Sequence, residues 1–316
     1  MDKVMRESGV SRRGFLQGSL GAALTVTALG TTGLTLNASS ARAAGTFVAD
    51  VMGNYALTDV KTGCQVTVSV ANGVRRISAN GLPNHATGAF PNAHNPNSIS
   101  QQRYDYSIPT SPKKTSTGVP FGIPQPFGIG VNGVIFDPIA AEYYKGDRNS
   151  GWNYNALGGG IDLGLDSNNA HVQPTGAYHY HGLPTGLDDS VMRSGHSPLV
   201  GWAGDGFPIY LNRAYKNPKK AGSGFVSLRS SYKLKSGTRP SGPGGTYNGD
   251  FVEDYQYVAG SGELDAANGR FQVTPEYPKG TYCYILTSTF PNIPRAFVGS
   301  IASSFVKSPG QGAPPR

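Results

Sequence analysis

The chain has 316 residues, a formal net charge of +8, and 44 glycines and 23 prolines. So much Gly and Pro argues for many turns and few long helices. The basic residues form no dense block, only pairs such as Lys113-Lys114 and Lys219-Lys220 in Pro/Gly-rich stretches. That is the pattern of a solvated surface and excludes nucleic acid as the expected partner.

The N-terminus reads as a targeting segment. Ser11-Arg12-Arg13-Gly14-Phe15-Leu16-Gln17 resembles the twin-arginine export signal. A weakly apolar run follows from Gly18 to about Leu36, and Ala41-Arg42-Ala43 offers small residues to a signal peptidase. Cleavage after Ala43 leaves 273 residues, and losing five cations and two acids lowers the net charge to +5. The resemblance implies the twin-arginine translocation machinery as a partner and a periplasmic or secreted address. That pathway carries folded proteins, many already loaded with a cofactor. No later run approaches the ~18 apolar residues of a spanning helix, so no membrane span is expected in the mature chain.

Beyond the signal, Gly/Pro punctuation with Tyr, Val, Phe and Thr between predicts a mainly β fold: sandwich- or barrel-like antiparallel sheets, long loops and a few short helices. Candidate strands are Gln65–Val70, Gly73–Ser78, Arg103–Ile108, Gly128–Val131, Val134–Phe136, Ala170–Gln173, Tyr178–His181, Pro208–Tyr210, Tyr255–Val258 and Tyr282–Leu286. Short helices are expected at Ile139–Tyr144, Leu187–Arg193 and Asp265–Asn268. Residues 44–110 read as an N-terminal β extension of the main domain, 111–306 as its body and 307–316 as a disordered tail. Cys64 and Cys283 are either a disulfide, expected to be stable in an oxidising compartment, or buried thiols; a thiolate metal ligand is a third option.

The chemistry concentrates in Ala177–Gly186, AYHYHGLPTG. On a strand, alternate side chains share a face, so His179 and His181 would stand roughly 6.5–7 Å apart on one side, with Tyr178 and Tyr180 on the other. Upstream, Pro174-Thr175-Gly176 suits a three-residue hairpin loop, with glycine in the left-handed conformation. In that register His171 lies opposite His179, and three histidines share a face. A loop one residue shorter or longer puts His171 on the tyrosine face.

These residues resemble the YHYH family, called after Tyr178-His179-Tyr180-His181. The resemblance extends from Gly133-Val134-Ile135-Phe136-Asp137-Pro138 through GWAGDGFPIY (Gly201–Tyr210), LDAANGRFQVTPEYPKGTY (Leu264–Tyr282) and FPNIPR (Phe290–Arg295). It names a domain and implies little about mechanism.

Three readings of the histidines stay open. They bind a divalent transition metal, copper or zinc, as imidazole readily does, leaving a position for water or substrate. They touch substrate or move protons without a metal. Or they hydrogen-bond buried backbone. His196, in a loop, is a candidate fourth ligand or proton shuttle, and Asp205, between glycines, a candidate catalytic carboxylate or orienting acceptor for a histidine. Asp162, Asp166 and Glu142 are further acceptors, and Glu276 a loop contact. His85 and His94 read as surface residues in the Asn/Pro-rich run Pro83–Asn97, not as ligands. There is no Gly-x-Ser-x-Gly elbow, phosphate loop or His-Glu-x-x-His motif. The expectation is an exported metal-binding protein, whose metal could serve catalysis on an extracellular substrate. Its alternative is a non-catalytic module that binds a small molecule or glycan through a tyrosine-rich face, with structural histidines.

Overall fold

The computed structural model describes residues 50–120, 126–188 and 195–306. The expected export segment, the expected tail and most of the expected helix Leu187–Arg193 lie outside them. Tyr55–Asp59, Cys64–Ala71, Val74–Ala79 and Tyr104–Pro109 form an antiparallel meander. Cys64–Ala71 alternates: Cys64, Val66 and Val68 point inward while Gln65, Thr67 and Ser69 are exposed. A sheet with one wet face requires this period of two.

The second sheet has eight strands, in the order Gly269–Gln272, Thr281–Ile285, Pro208–Tyr210, Leu199–Ala203, Gly128–Gly130, Ile135–Phe136, Tyr178–Tyr180, Ala170–Val172. It is mixed and not purely antiparallel: Pro208–Tyr210 runs parallel to Thr281–Ile285, and Ile135–Phe136 parallel to Tyr178–Tyr180. One face shares a core with the meander, where Val66, Val68, Ile77 and Ile108 meet Ile129, Trp202, Tyr210 and Ile285. The other carries a second core of Val134, Phe136, Tyr178, Tyr180, Tyr284 and Phe297. Central strands covered on both faces lose the alternating pattern. Leu199–Ala203 is buried at every position, and sequence patterning does not mark it as a strand.

Two expected helices are not helices. At Ile139–Tyr144 the Asn153 side-chain amide donates to the Ala140 and Glu142 carbonyls, which a helix would need for itself. At Asp265–Asn268 the Asp265 carboxylate accepts from the Ala267 and Gly269 amides, making a tight turn with Asn268 at φ +52°. The described part of the third is one turn, Thr185–Asp188. Among the described residues, no helix is long and apolar enough to cross a membrane. Cys64 and Cys283 are unpaired and buried, so the described fold contains no bridge between them. Burial pushes the Cys64 thiol up to about 12 and the Cys283 thiol up as well, which makes both inert.

Candidate metal centre

The hairpin that carries the histidines has the three-residue loop. Gly176 sits at φ +83°, its amide donates to the Gln173 carbonyl at 2.8 Å, and Gln173 N donates to Ala177 O at 3.0 Å. His171 is therefore the register partner of His179. The strand pleat adds His181 to the same face, and Tyr178 and Tyr180 turn into the apolar core opposite.

The three imidazoles form a close triangle, with ring centres 4.6, 4.7 and 4.8 Å apart. Their Nε2 atoms converge: His179 to His181 is 3.0 Å and His181 to His171 is 3.1 Å. Two nitrogens each about 2.0–2.1 Å from one ion stand about 2.9 Å apart at a right angle and about 3.4 Å apart at the tetrahedral angle. Both observed separations fall in that interval. His179 and His181 are buried and His171 is partly so.

Proton positions follow from the opposite side of each ring. His171 Nδ1 lies 3.0 Å from the Leu163 carbonyl, and His179 Nδ1 lies 3.1 Å from the Ala177 carbonyl. A carbonyl only accepts, so each Nδ1 carries the hydrogen and each Nε2 presents a lone pair to the centre. Asn95 Nδ2 also stands 3.2 Å from His171 Nδ1, but it donates to Val172 O at 3.0 Å. His181 Nδ1 is buried with no partner at hydrogen-bonding geometry among the described residues, and the Asp137 backbone nearby acts to raise its pKa. Burial holds His181 well below the usual imidazole pKa, and the neighbouring histidines and Arg295 push the same way; burial also lowers His171. At neutral pH these two rings are neutral, and neutral imidazole is the form that ligates metals.

The other candidates are placed elsewhere. Asp205 is not an open carboxylate, and among the described residues it orients no histidine. It is 1% exposed and accepts from Tyr284 Oη at 2.6 Å, Gly299 N at 2.9 Å and Phe207 N at 3.3 Å. Burial raises its pKa against those hydrogen bonds. The orienting groups of the cluster are backbone carbonyls instead, an alternative to the carboxylates of many metal sites. His196 is not in the triangle. It packs between Tyr210 and Tyr215, and its Nδ1 donates to the Ser197 carbonyl at 2.7 Å. Glu276 accepts from Tyr210 Oη at 2.7 Å. Asp166 takes the Tyr178 hydroxyl at 2.7 Å, Asp162 pairs with exposed His94 at 3.4 Å, and Glu142 reaches His171 only through its field.

His85 is the residue that sequence reasoning misplaced. It is buried; its Nδ1 donates to the Ala86 carbonyl at 2.9 Å, its Nε2 accepts from Tyr180 Oη at 2.6 Å, and that oxygen in turn accepts from Asn132 Nδ2 at 2.9 Å. The surrounding segment straps the hairpin. Gly88 N donates to Asp166, and Asn95 and Asn97 both donate to the Val172 carbonyl on the edge strand. An Asn/Pro-rich composition reads as surface. The partners lie some 75–95 positions away, so no local pattern announces them.

A family model described as YHYH protein matches residues 105–299, over half of the chain and including all three histidines. The chain belongs to the YHYH family. The match begins within the last strand of the meander and ends before 306, and the strap that carries His85 and Asn95 precedes it. No curated protein and no solved structure matches the chain.

Proposed function

We propose that this YHYH protein is exported and binds one divalent transition metal, copper or zinc, through Nε2 of His171, His179 and His181. The observation that carries the reading is the mismatch of hydrogen-bonding groups inside the triangle. Two of the three rings commit their protons outward to Leu163 and Ala177. If His181 carries its proton on Nε2, it can satisfy one neighbour well and leaves the other pair opposed. A cation at the centre satisfies all three lone pairs at once.

Three protein ligands leave room for water or a small molecule, as in catalytic zinc sites and unlike closed structural ones. Activation of water or dioxygen for an extracellular substrate is the chemistry this arrangement offers. The alternative of a tyrosine-rich binding face has less support, because Tyr178, Tyr180, Tyr210, Tyr282 and Tyr284 are buried in the cores. The test is titration of copper and of zinc into wild-type and His179→Ala protein. Tight stoichiometric binding that the substitution abolishes supports the reading, and equal affinity in both proteins overturns it. Copper is expected to bind more tightly than zinc at the same donors.

A further inference from the structure

Beside the histidine hairpin lies a cavity of about 670 Å³, inside the ~300–1,000 Å³ range of small-molecule sites. Part of its wall is the two-stranded ribbon of Tyr232–Leu234 and Tyr255–Tyr257. Register pairs Tyr232 with Tyr257 and Leu234 with Tyr255, so these four side chains share one face, and Lys233 and Gln256 share the other. The cavity lies on the tyrosine face, where Tyr232, Leu234 and Tyr255 line it together with Phe290. Tyr255 stacks on Phe290 with ring centres 4.0 Å apart and 7° between planes, and Tyr232 meets Phe290 edge-on at 5.5 Å. Leu234 is 45% exposed and Tyr257 39%, so this apolar face is open to a ligand.

The polar part of the wall presents no free charge. No Asp or Glu lines it. Arg229 is paired with Glu263 at 2.8 Å, and the Lys233 side chain belongs to the opposite face of the ribbon. What remains is amides and hydroxyls. Asn169 Nδ2 donates to Leu183 O at 2.8 Å, and Asn292 Nδ2 donates to Thr287 O at 3.2 Å. A carbonyl only accepts, so each amide is fixed with its nitrogen there and its Oδ1 left as an acceptor. Neither Oδ1 receives a donor among the described residues. The hydroxyls of Tyr255, Ser288 and Thr289 also have no hydrogen bond among them.

We propose that this cavity binds a neutral saccharide. The open amide oxygens require donors, and the wall hydroxyls serve as donor or acceptor. Sugar hydroxyls do both. The C–H face of a sugar ring supplies apolar area for Tyr232, Leu234 and Tyr255 to bury. A carboxylate ligand has no donor for the amide oxygens and no free cation to meet. A flat apolar ligand would cover those oxygens and leave them unpaired, and an ammonium ligand would find no carboxylate. Tyr232 and Tyr255 are half-buried and distinct from the tyrosines of the two cores. The proposal does not rest on the metal.

Saturation-transfer NMR and calorimetry on the metal-free full chain test it. The probes are cellobiose, maltose and N,N′-diacetylchitobiose, with sodium glucuronate as the anionic control and benzyl alcohol as the flat apolar one. At least one disaccharide is expected to bind, and both controls to bind about tenfold more weakly or not at all. Tyr255→Ala should weaken the best disaccharide about tenfold, the loss of an aromatic contact and a hydroxyl. Because Tyr255 also stacks on Phe290, a second variant is needed that leaves the stack alone. Ser288→Trp, at an exposed position of the wall, should block the cavity and abolish binding, with an unaltered far-UV spectrum to show that it folds. Lys233→Glu, on the other face of the ribbon, should bind the disaccharide as wild type does. No binding by any disaccharide, or wild-type affinity in a folded Ser288→Trp protein, overturns the site. Glucuronate binding as tightly as the best disaccharide overturns the neutral class, and so does a tenfold loss in Lys233→Glu. Benzyl alcohol binding as tightly overturns the hydroxylated class. A failed copper titration in the same samples would count against the metal centre alone.

Discussion

His171 and His179 face each other across the hairpin as register partners, ring centres 4.6 Å apart, and both turn their Nδ1 hydrogens away toward backbone carbonyls. Their Nε2 atoms are thereby held as lone pairs on the same side. Preorganisation of this kind makes the hairpin, and not a loop, the carrier of the site.

Metal should stabilise the fold through these rings. A ligand that binds only the folded chain adds about 2.7 kcal/mol at a hundred times its dissociation constant. Melting curves with and without copper or zinc should separate for wild-type protein and coincide for His179→Ala. His94→Ala, at an exposed histidine, should keep the wild-type separation.

Stability without metal should depend on pH in one direction. Burial lowers the pKa of His171, His181, His85 and His196 in the folded chain. The unfolded chain, with imidazoles near 6.5, takes up protons first, so this contribution is complete above about pH 6.5 and is lost as pH falls from there toward the folded values. Urea unfolding at about pH 7.5, 6.5 and 5.5 should show falling stability, with a slope of up to about 1.4 kcal/mol per pH for each extra proton that the unfolded chain binds. A profile flat across that window would contradict the neutral buried histidines. Metal affinity should fall in the same direction, as protons compete for Nε2.

Gly176→Ala should destabilise the hairpin for two reasons. The residue sits at φ +83°, which costs an L-residue about 1–2 kcal/mol. An added Cβ would also stand 1.9 Å from Ser100 Oγ. Gly146→Ala isolates the first effect, since Gly146 has φ +71° and open space around it. Denaturant unfolding should show the larger loss at 176; equal losses would mean that Ser100 moves aside freely.

Asp205→Ala separates stability from metal binding. It removes the acceptor of the Tyr284 hydroxyl and of the Gly299 and Phe207 amides, all in the core, at about 1–3 kcal/mol for each group left unpaired. The copper affinity of the folded fraction should stay that of wild type. A tenfold loss of affinity would return Asp205 to the metal site.

Export is tested at the N-terminus. Arg12→Lys with Arg13→Lys should leave the precursor in the cytoplasm, and the wild-type mature chain should begin near Ala44. Normal export of the double variant would remove the twin-arginine assignment.

What the amino-acid sequence determined by itself was local. Pro174-Thr175-Gly176 selects one loop length, that length sets the register, and the strand period of two then puts His171, His179 and His181 on a common face. The meander was legible for the same reason, since one wet face leaves alternation in Cys64–Ala71. The tertiary structure decided everything that depends on a partner far along the chain. Leu199–Ala203 shows no alternation because it is covered on both sides. Asp205, flanked by glycines as an exposed turn residue would be, is buried because Tyr284 and Gly299 need its oxygens. His85 lies in a polar run yet is inside, because the Tyr180 hydroxyl is there to meet it. Turn geometry and pleat act between neighbours and are written in short words of sequence. Burial of a polar group requires a hydrogen-bonding partner, and only the fold brings that partner near.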